Sequence, residues 1–156
     1  MDVVGQVVSI FVALVFTVLP VIAIVVGIPL VFAPASGWTE IAKRFPARDG
    51  GQHYRVHFGF ATFKGWIGFN GCMRVGSDSW GIAVGTNLLL PIGFKPFFIP
   101  WSAVESIVRT ASSLGMTIYR IRIKGAPDID FALRGAAFDA IAADAGAAGV
   151  PFFSER

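Results

Sequence analysis

Thr117-Ile118-Tyr119-Arg120-Ile121-Arg122-Ile123-Lys124 decides the fold class. Tyr119, Ile121 and Ile123 alternate with Arg120, Arg122 and Lys124, the period of two of a strand with one apolar and one cationic face. Working outward, strands are expected at about 104–111, 116–124 and 128–133. Ser112-Ser113-Leu114-Gly115 and Gly125-Ala126-Pro127 supply the turns between them. Upstream, Tyr54, Val56, Phe58 and Phe60 are expected on one strand face, with Arg55, His57 and Gly59 on the other. Cys72–Val75 and Gly81–Val84 read as a hairpin about Gly76-Ser77-Asp78-Ser79, while Leu88–Leu90 and Phe97–Trp101 are short extended pieces. Phe63 to Gly71 reads as a loop because of its glycines. Downstream the period changes to helical: Phe138, Ile141, Ala142 and Ala145 share a face from about Ala136, after Gly135 as N-cap. Gly149 and Pro151 would stop this helix. The expected order is about seven short strands and then one amphipathic helix.

The first third of the chain is different. Val3 to Phe32 holds no charged residue, and the next charge after Asp2 is Glu40. About 20 apolar residues suffice for a membrane-crossing helix, so 1–33 is expected to be a single N-terminal transmembrane helix. Ala33-Pro34-Ala35 has the small-x-small form of a cleavage site, but no Lys or Arg precedes the apolar run, which is too long for a signal peptide. Lys43, Arg44, Arg48 and Arg55 follow the run, which is expected to place the remainder in the cytoplasm of a single-pass membrane protein. Residues 34–53 are a connector in which Trp38, Ile41, Ala42 and Phe45 recur at helical spacing. Two readings stand for it: an interfacial helix with Trp38 at headgroup depth, or one more turn packed on the domain at 54–150.

Seven antiparallel strands followed by a helix, with Phe98-Ile99-Pro100-Trp101-Ser102-Ala103-Val104-Glu105-Ser106-Ile107 at their middle, resemble the pleckstrin-homology (PH)-like fold. The Ile-Pro-Trp junction is similar to that of GRAM-like and bacterial PH-like domains, where a strand breaks at Pro and resumes as the next. An anchor followed by such a domain also resembles small proteobacterial membrane proteins, which implies that the membrane is the bacterial inner membrane. The resemblance implies a β-barrel capped by a C-terminal helix that binds membrane lipids or protein segments and is not itself catalytic. The clustered cations of the first hairpin that phosphoinositide-binding members use are missing, so that specificity is not implied.

No residue constellation names a reaction. His53 and His57 are the only histidines and Cys72 the only thiol, too few for a zinc site. Ser77-Asp78-Ser79 reads as a polar turn, and no phosphate-binding or dinucleotide fingerprint occurs. The chain is therefore expected to be no enzyme and to hold neither cofactor nor metal. Its net charge of +3 is too weak to argue for nucleic acid.

Three surfaces are candidates for contact with membrane lipids or a membrane-protein partner. Phe63, Trp66, Ile67 and Phe69 crowd around Lys64, and Ile92, Phe94, Phe97 and Phe98 around Lys95. The resemblance places both groups in loops at the open end of the barrel. Rings beside amines suit a membrane–water interface, while a hydrophobic plug closing the barrel is the alternative. The third surface is the row Arg120, Arg122 and Lys124, which would meet lipid phosphates or an acidic partner, or be an ordinary solvated face. The expected function is a membrane-anchored binding or scaffolding module. Its alternative is an accessory subunit docking through the aromatic loops onto a larger integral-membrane complex.

Overall fold

A computed structural model describes residues 3–48, 53–65, 67–87, 93–111 and 116–155. The strands are β1 (Val56–Phe63), β2 (Ile67–Ser77), β3 (Gly81–Thr86), β4 (Phe97–Pro100), β5 (Val104–Ala111), β6 (Thr117–Ile123), β7 (Phe131–Arg134) and β8 (Phe152–Ser154). They form one sheet in the order β4-β3-β2-β1-β7-β6-β5-β8. All neighbours are antiparallel except β5 and β8, which run parallel. Helix α4 (Ala136–Ala147) packs on β1 and β2 through Ala137, Phe138, Ile141 and Ala145. The result is a curled half-barrel with a C-terminal helix, PH-like in shape.

The inner face of the curl is the core, where Phe63, Met73, Ile82, Phe97, Ile121 and Phe131 are fully buried. Close packing of α4 depends on Gly59, where a Cβ would stand 3.1 Å from the Ala137 Cβ. The helix is also tied to the sheet by polar groups. Ser77 Oγ donates to Asp144 Oδ2 at 2.5 Å, and Arg55 pairs with the same carboxylate oxygen at 2.9 Å.

Three local expectations are corrected. The run Phe63–Gly71 is no loop: Phe63 ends β1, Lys64 and Gly65 turn the chain with positive φ, and Ile67 opens β2. Burial of Phe63, Ile67 and Phe69 on the inner face holds the ladder despite Gly68 and Gly71. The faces of β1 are also exchanged, since Phe58 and Phe60 are exposed while Gly59 and Ala61 are buried. Register shifts between Val56 and Phe60 cause this, because a one-residue slip moves every side chain to the opposite face. Lastly, there are eight strands among the described residues; β8 follows α4 and pairs with β5. The extended piece at Leu88–Leu90 lies outside the described residues.

The largest correction concerns the N-terminal third. The apolar run is not one continuous α-helix over 1–33 but α1 (Val3–Ile22), a π-helical segment at Ala23–Gly27, and α2 (Ile28–Ala35). Pro20 inside α1 lacks the N–H of a regular turn, and the π segment changes the hydrogen-bond register. Helix α2 is then committed to the domain: Ala33 is buried, and Gly93 lies so close that a Cβ there would stand 3.1 Å from the Pro29 carbonyl oxygen. Among the described residues no helix is long and apolar enough to cross a membrane. The transmembrane helix is therefore not supported, nor are the single-pass inner-membrane topology, the cytoplasmic placement and the membrane-anchored function that rested on it.

Candidate functional site

The site begins with Trp38, at the start of α3 (Trp38–Arg44). Helix α2 stops at Ser36, whose N–H reaches Phe32 O and whose Oγ donates to Ala33 O. Gly37 follows with φ +81°, a conformation that favours glycine, and redirects the chain into α3. The turn drives Trp38 into the open end of the half-barrel. There its indole is fully buried and Nε1 donates to Lys95 O at 2.7 Å.

Four phenylalanines surround that indole. Ring centroids of Phe97, Phe63, Phe94 and Phe69 lie 5.0, 5.2, 5.3 and 5.8 Å from it, tilted or edge-on as aromatic quadrupoles prefer. Phe63 and Phe69 come from the two sides of the β1–β2 turn, Phe94 from the β3–β4 connection and Phe97 from β4. Arg44, at the far end of α3, donates to Gly125 O in the β6–β7 turn at 3.1 Å. All three connections at this end of the barrel are thus engaged by α3.

This geometry places the aromatic candidates. Phe63, Phe69 and Phe94 are buried at 0, 6 and 4% exposure, so their rings plug the barrel end together with Trp38 and have little area for an outside partner. Lys64 and Lys95 are exposed at the rim. Trp66 and Ile92 lie outside the described residues. Of the two readings of the connector, the packed one matches, since Trp38 and Ile41 are core side chains.

The cationic row is brought together as expected from the period of β6: Arg122 and Lys124 are exposed, while Ile121 and Ile123 are buried. Each cation already has an internal partner. Arg120 Nε stands 3.0 Å from Asp130 Oδ1, Arg122 pairs with Glu155 at 3.1 Å, and Lys124 Nζ donates to Ser102 O at 2.9 Å. A cleft of about 410 Å³ beside Arg120 and Arg122 is also lined by Glu105 and Asp130, so its charge is balanced.

The other polar candidates have structural roles. Asp78 Oδ1 accepts the N–H groups of Trp80 and Gly81 and closes the β2–β3 turn, and Trp101 Nε1 donates to Asp78 O. Burial raises the Cys72 thiol above its ordinary value, which disfavours the reactive thiolate. Burial also raises Tyr54, an effect that the neighbouring Arg74 guanidinium partly offsets. His53 and His57 are both exposed, and among the described residues no three His, Cys, Asp or Glu side chains stand where they could share a metal ion.

Sequence reasoning missed two features. Helix α1 exposes large apolar side chains, among them Phe11 at 67% and Phe16 at 76%. Its apolar run was plain in the sequence, but not that the run would break at Ala23–Gly27 and leave α1 exposed while α2 packs on the domain. Phe58, at 69% exposure, was hidden by the slip in β1. No family model, curated protein or solved structure matches the chain, so its likeness to PH-like domains is one of shape.

Proposed function

We propose that the chain is a non-catalytic accessory subunit that seats a PH-like module on a larger integral-membrane complex, with α1 as the segment that enters the complex. One observation carries this reading: α1 turns bulky apolar side chains outward. Val7, Val8, Phe11, Val12, Leu14, Phe16, Val18 and Leu19 are all exposed. At 100° per residue the exposed large side chains of α1 cover roughly 220° of its circumference. A helix so apolar is stable only when other apolar groups cover it. The narrow remaining face carries Gln6, Ser9, Ala13 and Thr17, small or hydrogen-bonding groups beside which a neighbouring helix can pack closely.

The aromatic loops are not the docking surface in this reading, because they are spent on Trp38. Their place is taken by α1, while the exposed Lys64 and Lys95 remain candidates for polar contacts at the rim. The path from α1 through α2 to Trp38 supports a scaffolding role: a complex that holds α1 also fixes the module joined to it.

Photo-crosslinking tests this. Benzoylphenylalanine at Phe11 or Phe16 of the full chain, irradiated in cells, should give a discrete adduct with an integral-membrane protein. The association should survive high salt, since apolar contact is not screened. The same probe at exposed Arg109 should give none. Adducts with lipid alone would overturn the proposal.

A further inference from the structure

Behind the plugged mouth, with which it shares Phe94, a second cavity of about 570 Å³ opens between the start of β1, β2 and the end of β3, lined by His57, Phe58, Arg74, Thr86, Asn87, Phe94 and Pro96. We infer that this cavity binds a small amphiphilic anion, with a carboxylate or phosphate head against Arg74 and an aryl or short alkyl body against Phe58 and Pro96.

Four observations converge on that chemistry. First, the irregular register between Val56 and Phe60 turns Phe58 out of the sheet core, and bulges commonly re-aim a side chain at a functional surface. Asn87 supports this stretch of β1: its Nδ2 donates to His57 O and to Gly71 O of β2, both at 3.3 Å.

Second, Arg74 is held in place. Its Nε donates to Thr86 O at 2.8 Å, and its guanidinium lies 4.6 Å from the centre of the Tyr54 ring. Tyr54 is fixed in turn by close approach to Gly85, where a Cβ would stand 2.8 Å from the phenol oxygen.

Third, the charge is uncompensated. Among the described residues Arg74 has no carboxylate partner, unlike Arg55, Arg120 and Arg122, and no acidic side chain lines the cavity. A half-buried guanidinium without a counter-ion is a ready anion site, and its planar fork suits carboxylate and phosphate. Fourth, Asn87 Oδ1 is buried and accepts no hydrogen bond among the described residues, which leaves an acceptor for a ligand hydroxyl or amide N–H.

The test uses the full chain in mild detergent with 4-(trifluoromethyl)benzoate, observed by fluorine NMR, beside the neutral 4-(trifluoromethyl)benzamide. The benzoate should bind saturably and the benzamide about tenfold more weakly, the size of one charge-assisted contact. Arg74→Gln should weaken benzoate binding by about tenfold, with circular dichroism checking that the variant folds. Phe58→Ser removes an exposed side chain, leaves the fold intact and should also weaken binding by several-fold. Displacement by octanoate alone would identify a free carboxylate, and displacement by glycerol 1-phosphate a lipid headgroup. Failure of both to displace the probe would overturn the inference. So would the absence of saturable binding, equal binding of the two probes, or unchanged binding by both variants.

Discussion

At the residue scale, Trp38 joins the N-terminal helices to the barrel. Its ring contacts four phenylalanines from three separate parts of the chain, and its one polar atom is satisfied. Trp38→Ala should therefore cost about 3–5 kcal/mol, from lost transfer energy and from the cavity left among rings that cannot collapse. Denaturant unfolding of the full chain would measure it, and a cost below about 1 kcal/mol would mean the indole is not part of the core. Cys72 gives a second prediction at this scale. Burial raises its thiol in the folded chain, so on raising the pH the unfolded chain gives up its thiol proton first. The thiol's contribution to stability is thus present below the ordinary value of 9.0 and is lost as pH climbs through and beyond it. Iodoacetamide should label native Cys72 more slowly than the unfolded chain at pH 9, and equal rates would count against the burial.

At the scale of elements, the irregular start of β1 decides which side chains the sheet presents. Asn87 is bonded to carbonyls on both β1 and β2 there, so Asn87→Ala should destabilise by about 1–2 kcal/mol, the worth of two ordinary hydrogen bonds. Amide exchange at His57 to Gly59 should quicken, and unchanged protection would show that the bulge stands without Asn87. The same stretch shows where the sequence could be read and where it could not. Strand β6 was legible because its alternation runs unbroken from Tyr119 to Lys124, and α4 because Phe138, Ile141 and Ala145 keep one period. The faces of β1 were not, because a slip leaves no mark in the pattern of apolar residues. Strand β2 was obscured by Gly68 and Gly71, whose cost is offset by Ile67, Phe69 and Met73 buried near them. The three-residue β8 pairs with a strand more than 40 residues earlier, and nothing local to Phe152 and Phe153 announces it. As for the candidate site, the helical spacing of Trp38 and Ile41 was visible, but the surface they meet is set by residues as distant as Lys95.

For the whole molecule, the question is which helices belong to the barrel. Helix α1 has its substantial contacts with the π segment, whereas α2 packs on α3, and α3 on β4. Phe98 N–H donates to Phe45 O, and Pro46 bridges to Phe97, so the chain leaving α3 is tied to the sheet edge. The barrel should therefore be indifferent to losing α1 and sensitive to losing α3. A chain of residues 28–156 keeps α2, the Gly37 turn and Trp38. Its thermal midpoint should lie within a few degrees of the full chain's, and its circular dichroism should show more strand than helix. A chain of residues 48–156 lacks the indole and opens an aromatic cavity at the barrel end. If the loss matches a buried tryptophan, about 3–5 kcal/mol, a domain of this size should melt about 10–20 °C lower. Adding a peptide of residues 34–48 should restore part of the difference, because the mouth would refill with the side chains that line it now. Equal midpoints for the two truncated chains would mean that α3 merely rests on the barrel. The path by which α1 is held to fix the module would then be broken at Trp38, although the apolar surface of α1 would still need a partner.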